Sequence, residues 1–277
     1  MHLLVLGLGY TAARFAAAFR AQGGTVTAVR SRSTADALAL DDPALPAIIG
    51  RATHILSSIP PAADGGDPAP AAYGGDPALL AHRAALAAAP AEWVGYLSST
   101  GVYGDAGGAW VDEASRLLGR RSGRLAADLD WQVLHPRVRV FRLPGIYGPG
   151  RSALDRLAAG PVARIDMPGH VFSRIHVDDI VGAMLASLGT GGPGVYNLCD
   201  DEPAPGEAVT AHAAELLGLA APPLQRLEDA KLSPMGRAFY AECRRVANGK
   251  MTRDLRYTLR YPDYRAGLSA CLREMKR

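Results

Sequence analysis

Glycines that could hold a phosphate group follow the first apolar run of the chain. After residues 2–6, Gly7 and Gly9 with Ala12 form a Gly-x-Gly-x-x-Ala pattern that opens a helix-like segment. Glycines at a strand-to-helix turn let the backbone approach a pyrophosphate, whose charge then meets the N–H groups of the helix N-terminus. Such a turn also occurs without a ligand, but the order strand, motif, helix favours dinucleotide binding. We predict cofactor contacts from Gly7, Gly9, Tyr10, Thr11 and Ala12.

Two arginines stand where a second strand-like run ends. Residues 25–29 are followed by Arg30, Ser31 and Arg32. In dinucleotide-binding units, an acidic residue about 20 residues after the glycines holds the ribose 2′-hydroxyl of NAD. A carboxylate would repel a 2′-phosphate, whereas guanidinium groups bind it with paired hydrogen bonds. The alternative is that these are solvent-exposed arginines of an arginine-rich chain. The pattern favours NADP as cofactor and does not exclude NAD.

Alternating elements must position these groups. Short apolar runs predict strands at residues 2–6, 25–29, 53–59, 93–98 and 137–143, and helices are predicted between them at 11–21, 77–89 and 123–134. Nearly continuous apolar strands separated by helices are typical of a parallel sheet covered on both faces. The sequence therefore predicts an α/β fold, with a Rossmann-like doubly wound parallel sheet and a smaller C-terminal substrate lobe.

The predicted organisation has two parts. We expect an NAD(P)-binding domain over residues 1–150 and a mainly substrate-binding lobe over 151–277, from which about 171–198 returns to the sheet. Only 22 residues, 31–52, separate the second strand from the one at 53–59. This is too short for a full unit, so we expect a helix to be missing or reduced and 37–40 to form a stub strand. The sequence GGDPA, at 65–69 and again at 74–78, predicts a mobile loop extension.

Composition excludes several classes of function. The 277 residues are 48% hydrophobic, enough for a large core, and no apolar run is long enough to span a membrane. Three cysteines, Cys199, Cys243 and Cys271, are too few for a disulfide framework or a zinc site, and this predicts a reducing, cytoplasmic location. The C-terminal region from Lys231 is basic, which predicts a solvated helix face, with an anion or nucleic-acid site as the alternative. No aromatic platform or binding motif accompanies the charge, so no nucleic-acid partner is expected. We expect a small-molecule substrate and a monomer or homodimer.

Four further stretches carry a resemblance to a known family. They are YLSSTGVYGD at 96–105, RLPGIYGPGR at 142–151, FSRIHVDDI at 172–180 and VYNLCDDEP at 195–203. Together with the glycine turn, they resemble the extended short-chain dehydrogenases/reductases of the NAD-dependent epimerase/dehydratase superfamily. The motifs occur in the family's order and span most of the chain, so the resemblance implies the same fold and a nicotinamide cofactor.

The resemblance implies catalytic roles that this chain fills only in part. Ser99 stands where the family's Ser or Thr orients the substrate oxygen, and Thr100 with Gly101 replaces the acidic pair of family dehydratases, which disfavours water elimination. The family's proton-shuttling Tyr and Lys fall on Arg120 and Arg124. No lysine precedes Lys231, so realignment does not restore the pair. This loss, with the shortened glycine turn, is typical of the atypical branch of the family.

Other residues could replace the missing pair. An arginine is a poor base, but it can hold the cofactor ribose, lower a neighbouring pKa or bind an anionic substrate. Tyr103 is the candidate substitute acid because it is close to Ser99 in sequence, and the alternative is that Tyr103 only packs as the family's usual aromatic.

The resemblance also implies positions along the cofactor and the substrate. The cofactor set comprises Ser57, Ile59, Pro60, Ser98, Arg124, Pro144 and Ile146. The substrate set comprises Thr100, Arg120, Tyr147, Arg151 and His176. We expect Asp178 or Asp179 to cap the helix that follows His176, and no metal is expected there.

Two functions remain open at this point. One is an NADP-dependent oxidoreductase or epimerase that acts on a small hydroxylated substrate, sugar-like or nucleotide-linked. The other is a protein that binds NADP without turnover and relays its occupancy to a partner. Intact cofactor elements support both, Ser99 favours the enzyme, and Arg120 with Arg124 favours the sensor.

Overall fold

The structure is a computed structural model that describes residues 1–61 and 75–276. The first GGDPA copy, predicted as part of a mobile loop, lies outside the described residues. The second copy leads directly into a helix, because the Asp76 carboxylate accepts hydrogen bonds from the N–H groups of Ala78 and Leu79 and caps its first turn. The last residues of the second copy therefore form the N-terminus of a helix and not a loop.

The elements agree closely with the predicted pattern. The strands are β1 (His2–Leu6), β2 (Thr25–Arg30), β3 (Leu38–Ala39), β4 (His54–Ser57), β5 (Trp93–Ser99), β6 (Trp110–Val111), β7 (Val138–Leu143), β8 (Gly145–Tyr147), β9 (Arg164–Ile165), β10 (Arg174–His176), β11 (Gly194–Asn197), β12 (Leu224–Gln225) and β13 (Arg245–Val246). The α-helices are α1 (Tyr10–Ala21), α2 (Leu45–Ile49), α3 (Pro77–Ala87), α4 (Ser122–Leu134), α5 (Ala153–Ala159), α6 (Val177–Ala186), α7 (Gly206–Leu216), α8 (Pro234–Phe239), α9 (Gly249–Asp254) and α10 (Tyr264–Met275). A 3-10 helix, Thr100–Tyr103, follows β5.

Seven parallel strands form the central sheet, in the order β11-β7-β5-β4-β1-β2-β3. The chain reverses its direction of travel across the sheet between β1 and β4, and ligands of open α/β sheets bind outside the strand ends at such a reversal. The glycine turn after β1 therefore lies where a nucleotide would bind. The doubly wound fold predicted from the sequence is confirmed, and β11 brings the C-terminal half back into the sheet.

The two faces of the sheet are buried by different helices. Successive strand residues point to opposite faces, so Leu3 and Leu4 of β1 enter different parts of the core. Leu3 packs with Phe15 of α1 and Met184 of α6, whereas Leu4 shares a cluster with Trp131 of α4. Burial on both faces explains why the strands are almost continuously apolar.

The short segment between β2 and β4 is reduced, as its length predicts. The stub strand β3 has two residues, no helix separates it from β2, and α2 has only five residues. The chain crosses over with a turn because too few residues are available for a helix.

A smaller group of helices lies beyond the sheet edge. Leu154 of α5, Ala213 of α7 and Leu268 of α10 share one apolar cluster. Short parallel pairs, β8 with β10, β9 with β12 and β6 with β13, connect this region to the loops of the sheet. No helix in the described part of the chain is long and apolar enough to cross a membrane.

Candidate functional site

The glycine turn has the geometry of an anion-binding loop. Gly7 adopts φ +89°, and its N–H donates to the carbonyl of Val29 over 3.0 Å, which holds the turn against β2. Gly9 is the N-cap of α1. A Cβ at Gly9 would meet no atom within 4 Å, so the space in front of the helix N-terminus is open. An open, glycine-lined helix N-terminus fits a pyrophosphate.

The end of β4 approaches this turn through Ser58. The Ser58 N–H donates to the carbonyl of Leu6 over 2.8 Å, and its hydroxyl donates to the carbonyl of Gly7. Ser57, predicted as a cofactor contact, is instead fully buried, because neighbouring strand residues point to opposite faces. Ser58 takes its place at the cavity wall.

A first cavity of about 500 Å³ lies beyond the ends of β1, β2 and β4, and we call it the nucleotide cavity. Its wall contains both glycines of the turn and predicted cofactor residues at or just after the ends of β2 and β4. These residues are Gly7, Gly9, Arg30, Ser31, Arg32, Ile59 and Pro60. Arg30 and Arg32 are exposed at its rim, where their guanidinium groups can reach a ribose phosphate.

A second cavity of about 410 Å³ continues from the turn toward β5, and we call it the central cavity. Predicted cofactor residues in its wall are Gly9, Tyr10, Thr11, Ala12, Ser98, Arg124, Pro144 and Ile146. Arg151, expected to contact substrate, lies here instead, with its guanidinium 5.5 Å from the centre of the Tyr10 ring. Burial raises the pKa of Tyr10, whose hydroxyl donates to the carbonyl of Pro149 over 3.0 Å.

A third cavity of about 300 Å³ lies between the end of β5 and the C-terminal helices, and we call it the arginine cavity. It contains the predicted residues Ser99, Thr100 and Arg120. Four residues line both this cavity and the central cavity and so form the boundary between the two: Ser99, Arg121, Arg124 and Pro144. Ser99 Oγ accepts a hydrogen bond from the N–H of Gly101 over 3.1 Å, which leaves its own O–H free to donate.

One carboxylate and several guanidinium groups face one another across the arginine cavity. Glu242 accepts from Arg120 Nε over 3.0 Å and from Arg244 Nη1 over 2.8 Å. Arg244 Nη1 also donates to the carbonyl of Gly104 over 2.6 Å. Partial burial raises the pKa of Glu242, but the hydrogen bonds from Arg244 and Arg120 outweigh burial and lower it overall. The carboxylate is therefore anionic at neutral pH and cannot serve as a general acid there.

Tyr103 does not reach the wall of these cavities, which corrects its predicted role as substitute acid. Its side chain is 2% exposed, and its hydroxyl donates to Asn197 Oδ1 over 2.7 Å and accepts from Arg142 Nη1 over 3.1 Å. Burial raises the pKa of Tyr103, although the nearby Arg142 opposes the shift. Tyr103 packs in the core, as the alternative interpretation stated.

Tyr147 and His176, expected to contact substrate, are also buried away from the cavities. Their rings pack edge to face at 5.2 Å, and the Tyr147 hydroxyl donates to the carbonyl of Asp263 over 3.4 Å. His176 Nδ1 accepts from the N–H of Asp178 over 3.2 Å, so His176 itself is the N-cap of α6 and the expected cap at Asp178 or Asp179 is wrong. Burial lowers the pKa of His176 to about 4.

A buried polar network supports the cavity from behind. Asp128 of α4 accepts from the Ser98 hydroxyl over 2.5 Å and forms an ion pair with Arg142 of β7 over 2.7 Å. Both side chains of the pair are at most 2% exposed, and Arg142 continues the network to Tyr103. Leaving a buried charge without a hydrogen-bond partner costs free energy, so the ion pair favours the side-chain conformation of Ser98 in which its hydroxyl donates to Asp128. The network therefore holds Ser98 in a fixed orientation at the cavity wall.

Sequence reasoning missed part of the arginine cavity. Arg121 adjoins a predicted residue and could have been included, whereas the others come from distant segments: Phe172, Phe239, Glu242 and Arg244. The basic character of the C-terminal region was a signal, but it was interpreted as a solvated helix face. In the described residues no group of three His, Cys, Asp or Glu side chains could hold a metal ion.

Comparisons with known proteins place this geometry in context. No protein-family model matches the chain. A conserved protein of unknown function from Silicibacter pomeroyi is 40% identical, with a TM-score of 0.79 over 99% of this chain and 98% of that one. The human epimerase family protein SDR39U1, in a structure with NADPH, is 18% identical, with a TM-score of 0.75 over 98% of this chain and 99% of that one.

Two curated proteins match part of the sequence. Protein YeeZ of Escherichia coli strain K12 is 31% identical over 172 residues, which are 61% of this chain and 58% of YeeZ. The 3-diazoavenalumate denitrifying reductase of a Streptomyces species is 34% identical over 140 residues, 47% of this chain and 45% of the reductase. The chain thus matches about half the length of its curated relatives.

Proposed function

Because the chain belongs to the same family as the Silicibacter pomeroyi protein, within the epimerase/dehydratase-like short-chain dehydrogenase/reductase superfamily, we propose that it is an NADP-dependent oxidoreductase acting on a small substrate. The observation that carries the proposal is the continuity of the cavities. The nucleotide, central and arginine cavities share wall residues in succession, Gly9 between the first two and Ser99 between the last two. A dinucleotide laid along the first two would end beside Ser99.

The cofactor end of the proposal rests on charge and open backbone. The glycine turn would hold the pyrophosphate, and Arg30 with Arg32 would bind a 2′-phosphate at the rim of the nucleotide cavity. The human neighbour that was crystallised with NADPH supports this assignment by fold. Pro144 and Ile146 would flank the ring from the β7 side of the central cavity.

The residues present support hydride transfer in which no protein side chain acts as the general acid. When bound, reduced nicotinamide supplies a hydride. The free O–H of Ser99 would donate to the substrate oxygen, and the guanidinium of Arg124 would stabilise the negative charge that develops on that oxygen. Since an arginine stays protonated, the proton that completes an alcohol product would come from water.

A non-catalytic NADP-binding sensor is the second candidate. The observation in its favour is that Arg120 and Arg124 occupy the positions of the family's proton-shuttling pair, and that Tyr103 is buried in the core. The retained boundary between the central and arginine cavities favours the oxidoreductase, because a sensor would not need a second cavity beside the cofactor.

Cofactor binding and turnover can be tested separately. We would titrate the full chain with NADPH and NADH by calorimetry, then mix the NADPH complex with a panel of carbonyl compounds and follow nicotinamide absorbance. We expect NADPH to bind at least tenfold more tightly than NADH, and at least one compound to be reduced. Absence of heat with both coenzymes would overturn both candidate functions, whereas binding without oxidation across a broad panel would favour the sensor.

A further inference from the structure

The arginine cavity carries an excess of positive charge. Four arginines, Arg120, Arg121, Arg124 and Arg244, line it with a single acidic residue, Glu242. Glu242 pairs with Arg120 and Arg244, and neither Arg121 nor Arg124 has a carboxylate within 4.0 Å among the described residues. Guanidinium groups match oxyanions with paired hydrogen bonds, so the cavity suits an anionic ligand.

One of these guanidinium groups, that of Arg244, lies near the residue that would orient the substrate oxygen. The position that a Cβ would take on Gly101 lies 3.3 Å from Ser99 Oγ and 4.0 Å from Arg244 Nη2. Arg244 Nη1 is occupied by Glu242 and by the carbonyl of Gly104, which fixes the guanidinium plane and leaves Nη2 turned toward this point. The positive charge is therefore held beside Ser99 and is not carried on a free surface side chain.

Part of the wall of the arginine cavity is apolar. Phe172 and Phe239 stack with ring centres 4.5 Å apart and planes at 15°, and Val171, Val246 and Pro144 complete the surface. Flat aromatic surfaces favour a flat apolar ligand body. Guanidinium groups and aromatic rings in the wall of one cavity match a molecule with an oxyanion at one end and a ring or planar chain at the other.

The size of the arginine cavity limits what can enter. Its volume of about 300 Å³ is at the small end of the range for ligand sites, roughly 300–1,000 Å³. Backbone hydrogen bonds hold the wall at Val246 in place. Strand β13 pairs with β6, and the carbonyl of Cys243 accepts from the N–H groups of Ala106 and Gly108. A nucleoside attached to a substrate would need this wall to move.

From these observations we propose that the substrate is a small organic oxyanion, a carboxylate or a phosphate on a flat apolar body, and is not nucleotide-linked. This inference rests on the proposed oxidoreductase function, since Ser99 is taken as the group that orients the reacting oxygen. The guanidinium groups of Arg244, Arg120 and Arg121 bind the oxyanion, and Phe172 with Phe239 contacts the flat body.

Calorimetry on the NADPH-saturated full chain tests the proposal with matched probes. The probes are benzoate, phenyl phosphate, the neutral benzamide, the ringless acetate and uridine diphosphate. We expect benzoate or phenyl phosphate to bind at least tenfold more tightly than benzamide, acetate and uridine diphosphate. The tighter of the two aromatic anions identifies the preferred oxyanion. Equal affinity for benzamide, equal affinity for acetate or tightest binding of uridine diphosphate would overturn the proposal.

Variants of the arginines locate the binding. Arg244→Met should weaken the aromatic anion at least tenfold, and Arg121→Met, which removes an exposed side chain, provides a second variant if the first does not fold. Arg51→Met is the matched control, because Arg51 is exposed and lines none of the three cavities. An unchanged affinity in both cavity variants would overturn the proposal. NADPH titrations of the same samples separate this failure from failure of cofactor binding, which would overturn the proposed function instead.

Discussion

The Nε atom of Arg120 lies 3.0 Å from Oε1 of Glu242, so a side chain just before α4 is joined to a carboxylate 122 residues later in the chain. The other oxygen of Glu242 accepts from Arg244 over 2.8 Å. Arg120 and Arg244 are thus joined through Glu242 in one charge network, which links the segment before α4 to the C-terminal region.

Replacing Glu242 by Gln tests whether this carboxylate competes with a bound anion. Removing its charge frees Arg120 and Arg244, so Glu242→Gln should bind benzoate or phenyl phosphate about three- to tenfold more tightly, in line with a gain of about 1 kcal/mol. Calorimetry on the NADPH complex measures the change. Weaker anion binding in a folded variant would contradict the expectation and indicate that Glu242 mainly positions the arginines.

Two glycines of one turn should respond differently to alanine. Gly9→Ala should fold as the parent does, since its Cβ meets no atom within 4 Å, but it should lower NADPH affinity at least tenfold by occupying the space of the pyrophosphate. Gly7→Ala should lose about 1–3 kcal/mol of stability, because φ is +89° and its Cβ would lie 2.8 Å from Ile59 Cγ1. Thermal unfolding and NADPH titration of both variants check this. Equal NADPH affinity in Gly9→Ala and the parent would argue against a pyrophosphate at this turn.

Arg32 should decide between the two coenzymes. Arg32→Met removes a charge at the rim of the nucleotide cavity, and hydrogen bonds to charged groups contribute about 1.5–3 kcal/mol. We expect NADPH affinity to fall about tenfold or more while NADH affinity stays within twofold. Arg51→Met again serves as the control. If both coenzymes lost affinity equally, Arg32 would not be reading the 2′-phosphate.

The buried pair of Asp128 and Arg142 should be strongly coupled to stability. Arg142→Met leaves the Asp128 carboxylate without its counterion, and such a change costs about 3–5 kcal/mol. Urea unfolding measures the loss. The matched control is Arg265→Met, because the Arg265–Glu202 pair at 2.7 Å is nearly half exposed on both sides, and exposed pairs contribute far less to stability than buried ones. Equal losses in both variants would mean that burial does not set the cost.

Asp200 should make stability fall in mildly alkaline solution. Burial raises the pKa of Asp200 to about 8, against the attraction of Arg174 and a backbone hydrogen bond from the same residue. The folded state therefore favours the protonated acid. Its contribution to stability is complete below the unfolded pKa of 3.8 and is lost as pH rises through about 8.

The neutral variant Asp200→Asn removes this titration. From pH 7 to pH 9 the parent should lose about 1 kcal/mol more than the variant. Thermal unfolding of both proteins at the two pH values, in the same salt, measures the difference. Parallel pH dependence in parent and variant would show that Asp200 titrates normally.

Much of the fold could be predicted because its signals are local. The central strands and the major helices lie within a few residues of their predicted positions, since each apolar run or helical pattern is continuous in the chain. Ser57 shows the limit of this reasoning. Ser57 is fully buried, whereas Ser58, the next residue, lies at the cavity wall, and sequence alone does not say which residue of a strand end turns outward.

The sequence by itself determined the glycine turn and the arginines after β2, because each depends on residue types at short, fixed spacing. Only the tertiary structure decided that Glu242 and Arg244 line one cavity with Ser99, and that Tyr103, Tyr147 and His176 are buried. The physical reason is that a cavity forms where distant segments pack together. Its charge and shape depend on side-chain directions that the core and the parallel pairing of β6 with β13 impose.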